Sequence, residues 1–283
     1  MPRGKDISRA VREVCLWFPE TEEVIAHGSP DFRVRGKTFA SYVINHHGDG
    51  RVALWLNAPS GAQDHYVRRE PKHFFVPPYV GPRGWLGVNL DKGISWKVVA
   101  MLVRDAYVKV APAALAKSLG PTIEISPPTK ALKPEEIDPL SSKRAQAVLK
   151  QLRAICLSYP ETSEDKQFGA PVWRVGKKVF AQARCYQPDR RLKLSFWSGV
   201  DQQALLVREK RFSIPPYIGH NGWTALDVTE SANWKEIRSL ALFSYRHFAL
   251  SRMLKALDER EVESRGGARK RSKEATRTAR NRR

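Results

Sequence analysis

The sequence predicts an α+β protein built from two tandem copies of one domain, each an antiparallel sheet with helices packed on one face. The first reason is an internal repeat: residues 76–85 read VPPYVGPRGW, and residues 214–223 read IPPYIGHNGW. The second reason is that the same helix and strand patterns flank both copies in the same order. A repeat period near half the chain indicates a duplicated domain rather than a solenoid, and 283 residues suit two domains of ordinary size.

Each copy is predicted to begin with an amphipathic helix. In the first copy Asp6 or Ser8 can cap it, and apolar residues recur at helical spacing over residues 7–18. The second copy repeats this spacing over residues 148–159. In both copies the next residue is a proline, which disfavours helix at the preceding position and so ends the pattern.

A three-stranded meander is predicted to follow in each copy. Its third strand alternates, so a period of two places one set of side chains on the core face and the other on a solvent face. The predicted core set is Val52, Leu54 and Leu56 in the first copy and Leu192, Leu194 and Phe196 in the second. The predicted solvent set is Arg51, Ala53, Trp55, Arg191, Lys193 and Ser195.

The second half of each copy is predicted to contain a short helix, a strand and a long helix. Short helices are expected over residues 62–69 and 202–210. The Pro-Pro-Tyr stretch cannot be a central strand, because proline offers no ladder donor, so it leads as extended chain into strands at 85–90 and 223–228. Long helices with apolar stripes then close both copies.

Composition sets the domain boundaries. Residues 121–140 hold five prolines and no apolar period, which predicts a fairly stiff, extended linker between copies at 1–120 and 141–257. Residues 258–283 are predicted to form a disordered basic tail. Their stretch from 265 to 283 contains nine Lys or Arg, one Glu and almost nothing apolar.

The net charge indicates the kind of partner. The formal charge of the chain is +20, which favours nucleic acid or an acidic surface. The first copy carries 17 Lys or Arg against 11 acidic residues, and the second carries 20 against 9. Both copies are therefore expected to attract phosphate, the second more strongly.

Other features narrow the class of protein. The three cysteines form no disulfide framework, no apolar signal segment opens the chain and no run of 18 apolar residues occurs. We therefore expect a cytoplasmic protein without a membrane span. The histidines do not recur between the copies, and no nucleophile elbow, P-loop or HExxH motif is present. We predict no enzyme activity, catalytic residue, metal, cofactor or small-molecule substrate, and the oligomeric state stays open.

Four motifs recur in both copies. They are a helix ending in Cys-Leu-x-x-Pro-Glu-Thr, a hairpin of the form Phe/Trp-Arg-Val-x-x-Lys-x-Phe-Ala, a Pro-Tyr lead-in to a strand that starts with Trp, and a closing helix with Tyr107 or Tyr245 in its last turns. These motifs resemble the MmcQ/YjbR family, whose members are described as DNA-binding and share a frataxin-like (CyaY-like) α+β fold. The resemblance implies two tandem CyaY-like, YjbR-like domains over residues 6–117 and 142–257, and it implies DNA binding by analogy of fold.

The sequence departs from this family pattern at one place. The family usually has Lys-x-His-Trp before the last strand, whereas Pro-Arg-Gly precedes Trp85 and His-Asn-Gly precedes Trp223 here. If that Lys and His contact a ligand in the family, both copies of this chain lack the contact.

The candidate DNA-binding residues are Lys and Arg on turns, hairpins, outward strand positions, helix ends and the tail, where phosphates can be reached. They are Arg33, Arg35, Lys37, Arg51, Arg68, Arg69, Lys72, Arg174, Lys177, Lys178, Arg190, Arg191, Lys193, Arg208, Lys210, Arg211, Arg269, Lys270 and Arg271. The alternative is that these charges only solvate a sheet face and discourage edge pairing.

Two functions fit this pattern. The leading hypothesis is a non-enzymatic DNA-binding protein that holds the phosphate backbone electrostatically with both domains and the tail. The alternative is a non-enzymatic interaction scaffold for an acidic partner, which an exposed apolar patch around Trp55 would favour. Trp55 itself can stack on a base or sugar, or pack against the other copy or a neighbouring helix, and we favour packing. The target sequence and the choice between DNA and RNA stay open.

Overall fold

The computed structural model describes residues 5–185, 190–260 and 262 of the chain. These residues form two compact units. One unit comprises the described residues up to Ser142 together with Arg190, and the other comprises the rest. Each unit is an α+β domain with one six-stranded antiparallel sheet, so the predicted fold class and duplication are confirmed.

The first domain carries its sheet in the order β1-β2-β3-β4-β6-β5. Its strands are β1 (Thr21–Ala26), β2 (Ser29–Val34), β3 (Lys37–Ile44), β4 (Val52–Leu56), β5 (Phe74–Phe75) and β6 (Leu86–Asn89). Its helices are α1 (Ile7–Cys15), α2 (Ala62–Arg69), α3 (Trp96–Val110) and α4 (Ala113–Lys117).

The second domain repeats this plan after a short helix α5 (Pro134–Ile137), with its sheet in the order β11-β12-β10-β9-β8-β7. Its strands are β7 (Thr162–Gln167), β8 (Ala170–Val175), β9 (Lys178–Cys185), β10 (Leu192–Trp197), β11 (Phe212–Ser213) and β12 (Trp223–Asp227). Its helices are α6 (Lys143–Cys156), α7 (Val200–Leu206), α8 (Trp234–Phe248) and α9, which covers residues 251–260.

The meander has four strands rather than the predicted three, because β1 and β7 precede it in sequence. Their segments, TEEVIA and TSEDKQ, are rich in charged residues and show no apolar alternation, so no strand pattern was visible. Both are edge strands, where one side of the backbone faces no neighbouring strand and charged side chains are common. Each is fastened to the first helix of its domain by one ion pair, Arg12 with Glu23 at 2.8 Å and Arg153 with Glu164 at 2.5 Å.

The main core of the first domain lies between its sheet and helices α1 and α3. Asp6 caps α1 by accepting a hydrogen bond from the Arg9 backbone at 2.8 Å, as one of the two predicted caps. The alternating residues of β4 face this core and are fully buried, as their period predicts: Val52, Leu54 and Leu56. In the second domain Leu192, Leu194 and Phe196 are buried in the same way.

The opposite face of β4 is not open to solvent, and that prediction was wrong. Ala53 and Trp55 are 1% and 7% exposed and form a second apolar cluster with Val43 and Phe75. Partly buried Val80 and Trp85 pack against this cluster from the Pro-Pro-Tyr loop and the segment after it. Trp55 is therefore packed, as favoured, but the residues of this cluster come from strands, the Pro-Pro-Tyr loop and the segment after it rather than from a neighbouring helix.

Several boundaries also differ from those predicted. The 121–140 stretch is not a free linker, because Ile125 is buried and packs against the first domain's core together with half-buried Ile123, Leu132 and Ile137. Helix α7 covers Val200–Leu206 rather than residues 202–210. Helix α9 extends to residue 260, past the predicted domain end at 257, and its Met253 and Leu257 are buried. Of the predicted tail at 258–283, residues 261 and 263–283 lie outside the described part of the chain.

Candidate nucleic-acid interface

The turn between the second and third strands of each domain carries cations at equivalent places. In the first domain Arg35 and Gly36 adopt positive φ values of 46° and 76°, which turns the chain into β3 at Lys37. Arg35 forms a two-pronged hydrogen bond to the Glu20 carboxylate at 2.6 and 3.0 Å, and this contact lowers the pKa of Glu20. Lys37 is exposed and forms no side-chain ion pair or hydrogen bond with another described residue.

The same turn of the second domain is more strongly basic. Lys177 and Lys178 are both exposed, and neither side chain pairs with another described residue. Gly176 occupies a positive φ of 55°, so the lysines follow it at the tip of the hairpin. This turn therefore presents two cations that no carboxylate of the described residues neutralises.

The arginines on the adjacent strands are occupied. Arg33 is half-buried and pairs with Asp31 at 3.1 Å. Arg174 pairs with Asp165 at 3.2 Å and donates to the Lys177 carbonyl at 3.1 Å. These two residues stiffen their sheets, and a phosphate would have to compete with a carboxylate for each of them.

A second group of cations lies at and beyond the end of the short helix in each domain; we call it the helix-end group. Its members are Arg68, Arg69, Lys72, Arg208, Lys210 and Arg211. Cations there also interact favourably with the helix dipole, so position alone does not establish binding.

Most of the helix-end group is unneutralised. Arg68 lies 4.0 Å from Asp64, with both side chains more than three-quarters exposed, a pair worth little in water. Arg69, Lys72, Arg208 and Lys210 are exposed and make no side-chain ion pair within the described chain. The exception, Arg211, is held by Glu209 and Glu236 and lies 5.0 Å from the centre of the Phe212 ring.

The cations of the β3–β4 and β9–β10 hairpins are also engaged. Arg51 pairs with Asp49 at 3.3 Å and lies 4.4 Å over the Phe75 ring. Arg190 donates to the carbonyl oxygen of Glu135 at 3.0 Å, and Arg191 pairs with Asp227. Lys193 is half-buried. Arg269, Lys270 and Arg271 lie outside the described residues.

A protein-family model described as YjbR matches this chain twice, at residues 16–109 and 157–247, which together make up well over half of it. The chain belongs to the YjbR family. Each match falls on one of the two domains. Among solved structures, the Deinococcus radiodurans protein DR2400, described with the family-model domain DUF419, is similar at 19% sequence identity and a TM-score of 0.34. That similarity covers 40% of this chain and 86% of DR2400. The comparison with curated proteins gives no match.

In both YjbR domains the tyrosine near the end of the closing helix has a structural role. Tyr107 is fully buried and donates to the carbonyl of Pro19 at 2.9 Å, and Tyr245 donates to the carbonyl of Pro160 at 3.0 Å. Each hydroxyl therefore joins the last helix to the turn that follows the first one. This motif is structural, and the DNA-binding candidates lie elsewhere.

The Pro-Pro-Tyr loop of each YjbR domain is held by a glutamine from the short helix. The amide of Gln63 donates to the carbonyls of Gly81 and Trp85 at 2.8 and 2.6 Å. Gln203 makes the same two bonds, to Gly219 and Trp223, at the same distances. The residue before each Trp is a glycine with a positive φ, 80° at Gly84 and 84° at Gly222, a region that glycine adopts without steric cost.

Sequence reasoning missed one exposed tyrosine at this loop in each domain. Tyr79 and Tyr217 are 66% and 78% exposed, although they were read only as part of a lead-in to a strand. In the first domain His47 Nε2 lies 2.9 Å from the Tyr79 hydroxyl, and the His46 ring packs edge-on against Trp55. Burial, followed by the neighbouring His47, lowers the pKa of His46. The repeat of Pro-Pro-Tyr was the only signal in the sequence that could have marked these positions.

The described residues contain no group of three His, Cys, Asp or Glu that could hold a metal ion. Within the same part of the chain, no helix is long and apolar enough to cross a membrane. Cys15 and Cys156 are buried thiols, and burial raises the pKa of each well above its usual value, which disfavours thiolate chemistry.

Proposed function

We propose that this YjbR-family protein binds DNA in the cytoplasm, mainly through the phosphate backbone. The observation that carries the proposal is that unneutralised cations recur at equivalent places in two domains. These places are the turn after the second strand and the helix-end group. A duplicated pattern of available charge gives each domain its own means of neutralising phosphates on a regular polyanion.

The predicted residues differ in whether their charge is already paired with a carboxylate. Lys37, Lys177 and Lys178 on the turns can accept a phosphate without first leaving a carboxylate. The same holds for Arg69, Lys72, Arg208 and Lys210 in the helix-end group. The arginines already paired, which are Arg33, Arg35, Arg51, Arg174, Arg191 and Arg211, contribute less because a phosphate would replace an existing favourable partner.

Phosphate contacts fix position but carry no sequence information, so binding is expected to depend weakly on base sequence. The second domain should contribute more than the first, because its excess of Lys and Arg over acidic residues is larger, 20 against 9 rather than 17 against 11. Residues 265–283 add nine further Lys or Arg against one Glu.

The test is duplex affinity of a variant that removes four unneutralised cations, Lys177→Ala, Lys178→Ala, Arg208→Ala and Lys210→Ala. At about 0.1 M salt its affinity should fall roughly ten- to a thousandfold, and the salt slope should decrease by about 3. All four side chains are exposed, so the melting temperature should not change.

The matched control removes four exposed cations from helices of the same domain: Lys150→Ala, Lys235→Ala, Arg238→Ala and Lys255→Ala. The change in net charge is identical, so an equal loss in both variants would mean that charge acts without a defined surface. That result would reject the proposed positions.

The second candidate function is an interaction scaffold for an acidic protein. It is supported by exposed apolar side chains on and near the short helix of the second domain, Val200, Leu205 and Ile214, each more than half exposed. The absence of duplex binding at low salt would favour this second candidate function.

A further inference from the structure

Tyr79 and Tyr217 share an unusual backbone geometry. Their φ angles are 64° and 67°, in the left-handed region that bulky side chains avoid. Both rings project into solvent, with exposures of 66% and 78%. Because each ring is exposed, its burial cannot offset the energetic cost of this backbone conformation. The surrounding loop must therefore impose it.

The loop around each tyrosine is built to impose it. Around Tyr79, the Val80 amide donates to Pro78 at 2.7 Å and the Gly81 amide to Pro77 at 2.9 Å, which closes two tight turns across the tyrosine. Gly81 lies so close to Val76 that a Cβ would sit 2.4 Å from Val76 Cγ1.

The second domain repeats this construction around Tyr217. Ile218 and Gly219 donate to Pro216 and Pro215 at 2.8 and 3.0 Å, and a Cβ on Gly219 would lie 2.2 Å from Ile214 Cγ2. The glutamine bonds described above fasten each loop to its short helix. Both domains therefore hold an exposed tyrosine on a loop with the same hydrogen bonds and the same close glycine contact.

The groups in contact with Tyr79 are histidine rings, and one exposed arginine lies on the same loop. His47 and Tyr79 are hydrogen-bonded, and the His46 ring lies 5.8 Å from the tyrosine ring at a steep angle. Arg83 is exposed on the same loop and makes no ion pair within the described chain. The nearby carboxylate of Asp49 is already occupied by Arg51 and by the Arg51 backbone amide at 3.0 Å.

We propose that Tyr79 and Tyr217 are base-stacking residues, one on each domain, that bind unpaired bases of single-stranded DNA. The inference rests on the proposed phosphate binding and adds a preference for strands whose bases are free. Aromatic side chains beside cations bind single strands because every base offers a π-face to the ring while the cations hold the backbone. A duplex hides those faces, so it should gain nothing from the tyrosines.

The experiment compares the full-length protein with the variants Tyr79→Asn, Tyr217→Asn and their combination. Asparagine tolerates the left-handed region, so the backbone is retained while the ring is lost. The probes are an oligothymidylate of about 15 nucleotides and a mixed-sequence duplex of the same length. Tyr79→Phe combined with Tyr217→Phe keeps both rings, and Trp17→Ala removes another exposed aromatic residue, 61% exposed, as a control.

The double asparagine variant should bind the single strand roughly five- to a hundredfold more weakly, while its duplex affinity changes less than about twofold. The phenylalanine variant and Trp17→Ala should bind both probes as the unmodified protein does. An unchanged single-strand affinity, or an equal loss on both probes, would overturn the stacking inference and leave duplex binding standing. If the unmodified protein bound neither probe, the proposed function itself would be overturned.

Discussion

Gly87 in β6 lies directly opposite Phe75 in β5, and the contact is closer than any larger residue allows. A Cβ on Gly87 would lie 2.5 Å from one carbon of the Phe75 ring and 2.6 Å from two others. Ordinary carbon contacts are about 3.5–4.0 Å, so Gly87→Ala must displace the ring by about 1 Å. Because Phe75 belongs to the apolar cluster with Trp55, that displacement disturbs the whole second face of the sheet.

Overpacking of this kind costs about 1–3 kcal/mol, whereas replacing glycine by alanine in a compatible strand regains about 0.5–1 kcal/mol. We therefore expect Gly87→Ala to destabilise the first domain by a net amount of about 1–2 kcal/mol. The second domain pairs Ser213 with Ala225 at the equivalent position, so alanine is present there where no aromatic ring lies opposite.

The double-mutant cycle follows from that comparison. In the Phe75→Ser background, Gly87→Ala should be neutral or stabilising, which gives a coupling energy of about 1–3 kcal/mol. The assay is urea unfolding of the full-length protein, read by hydrogen exchange of peptides from β4 and β6 so that the first domain is followed separately. A cost of Gly87→Ala that is the same with Phe or Ser at position 75 would refute the steric explanation.

Two further predictions concern stability. Tyr107→Phe and Tyr245→Phe should each lower the free energy of unfolding by about 1–2 kcal/mol, because each leaves a proline carbonyl without its donor. Hydrogen-exchange protection of helices α3 and α8 measures this decrease. Unchanged protection in both helices would show that water replaces the hydroxyl. His46 has a buried Nε2 with no hydrogen-bond partner among the described residues, and burial lowers its pKa, so protonation favours the unfolded state. Stability of the first domain should therefore fall from about pH 7.5 to about pH 5.5, and His46→Gln should flatten that fall; identical pH profiles would contradict it.

Local sequence signals were sufficient for the elements with strong periodicity. Helix α1 ends shortly before the proline that was expected to stop it, and α2 spans the residues that were expected. Strand β1 was missed because an edge strand with three solvent-accessible polar residues in a row, Thr21, Glu22 and Glu23, shows no apolar alternation. The covered face around Trp55 was missed because its cover comes from a loop more than 20 residues further along the chain.

In the candidate interface, too, local sequence patterns predicted positions but not tertiary contacts. Parity placed Arg191 on the outward face, where it is exposed, but its partner Asp227 lies 36 residues away, so no local pattern could show that the charge is paired. The left-handed backbone of Tyr79 was equally hidden, since it results from turns that Pro77 and Gly81 close and from a helix residue, Gln63. Cation positions are readable from sequence, whereas their neutralisation depends on tertiary contacts.

The most direct test of phosphate binding is the affinity for duplex DNA across a salt series, with full-length protein and with protein lacking residues 265–283. That segment carries nine Lys or Arg and one Glu, and we expect about half of its net charge to reach phosphates. Log K should fall linearly with log salt for both proteins, and deletion should lower the slope by roughly 3 to 5, at about 0.9 per phosphate neutralised. The thermal stability of both domains should be unchanged. Parallel salt plots would show that the segment does not touch DNA, and the absence of any duplex binding at low salt would contradict the proposed function.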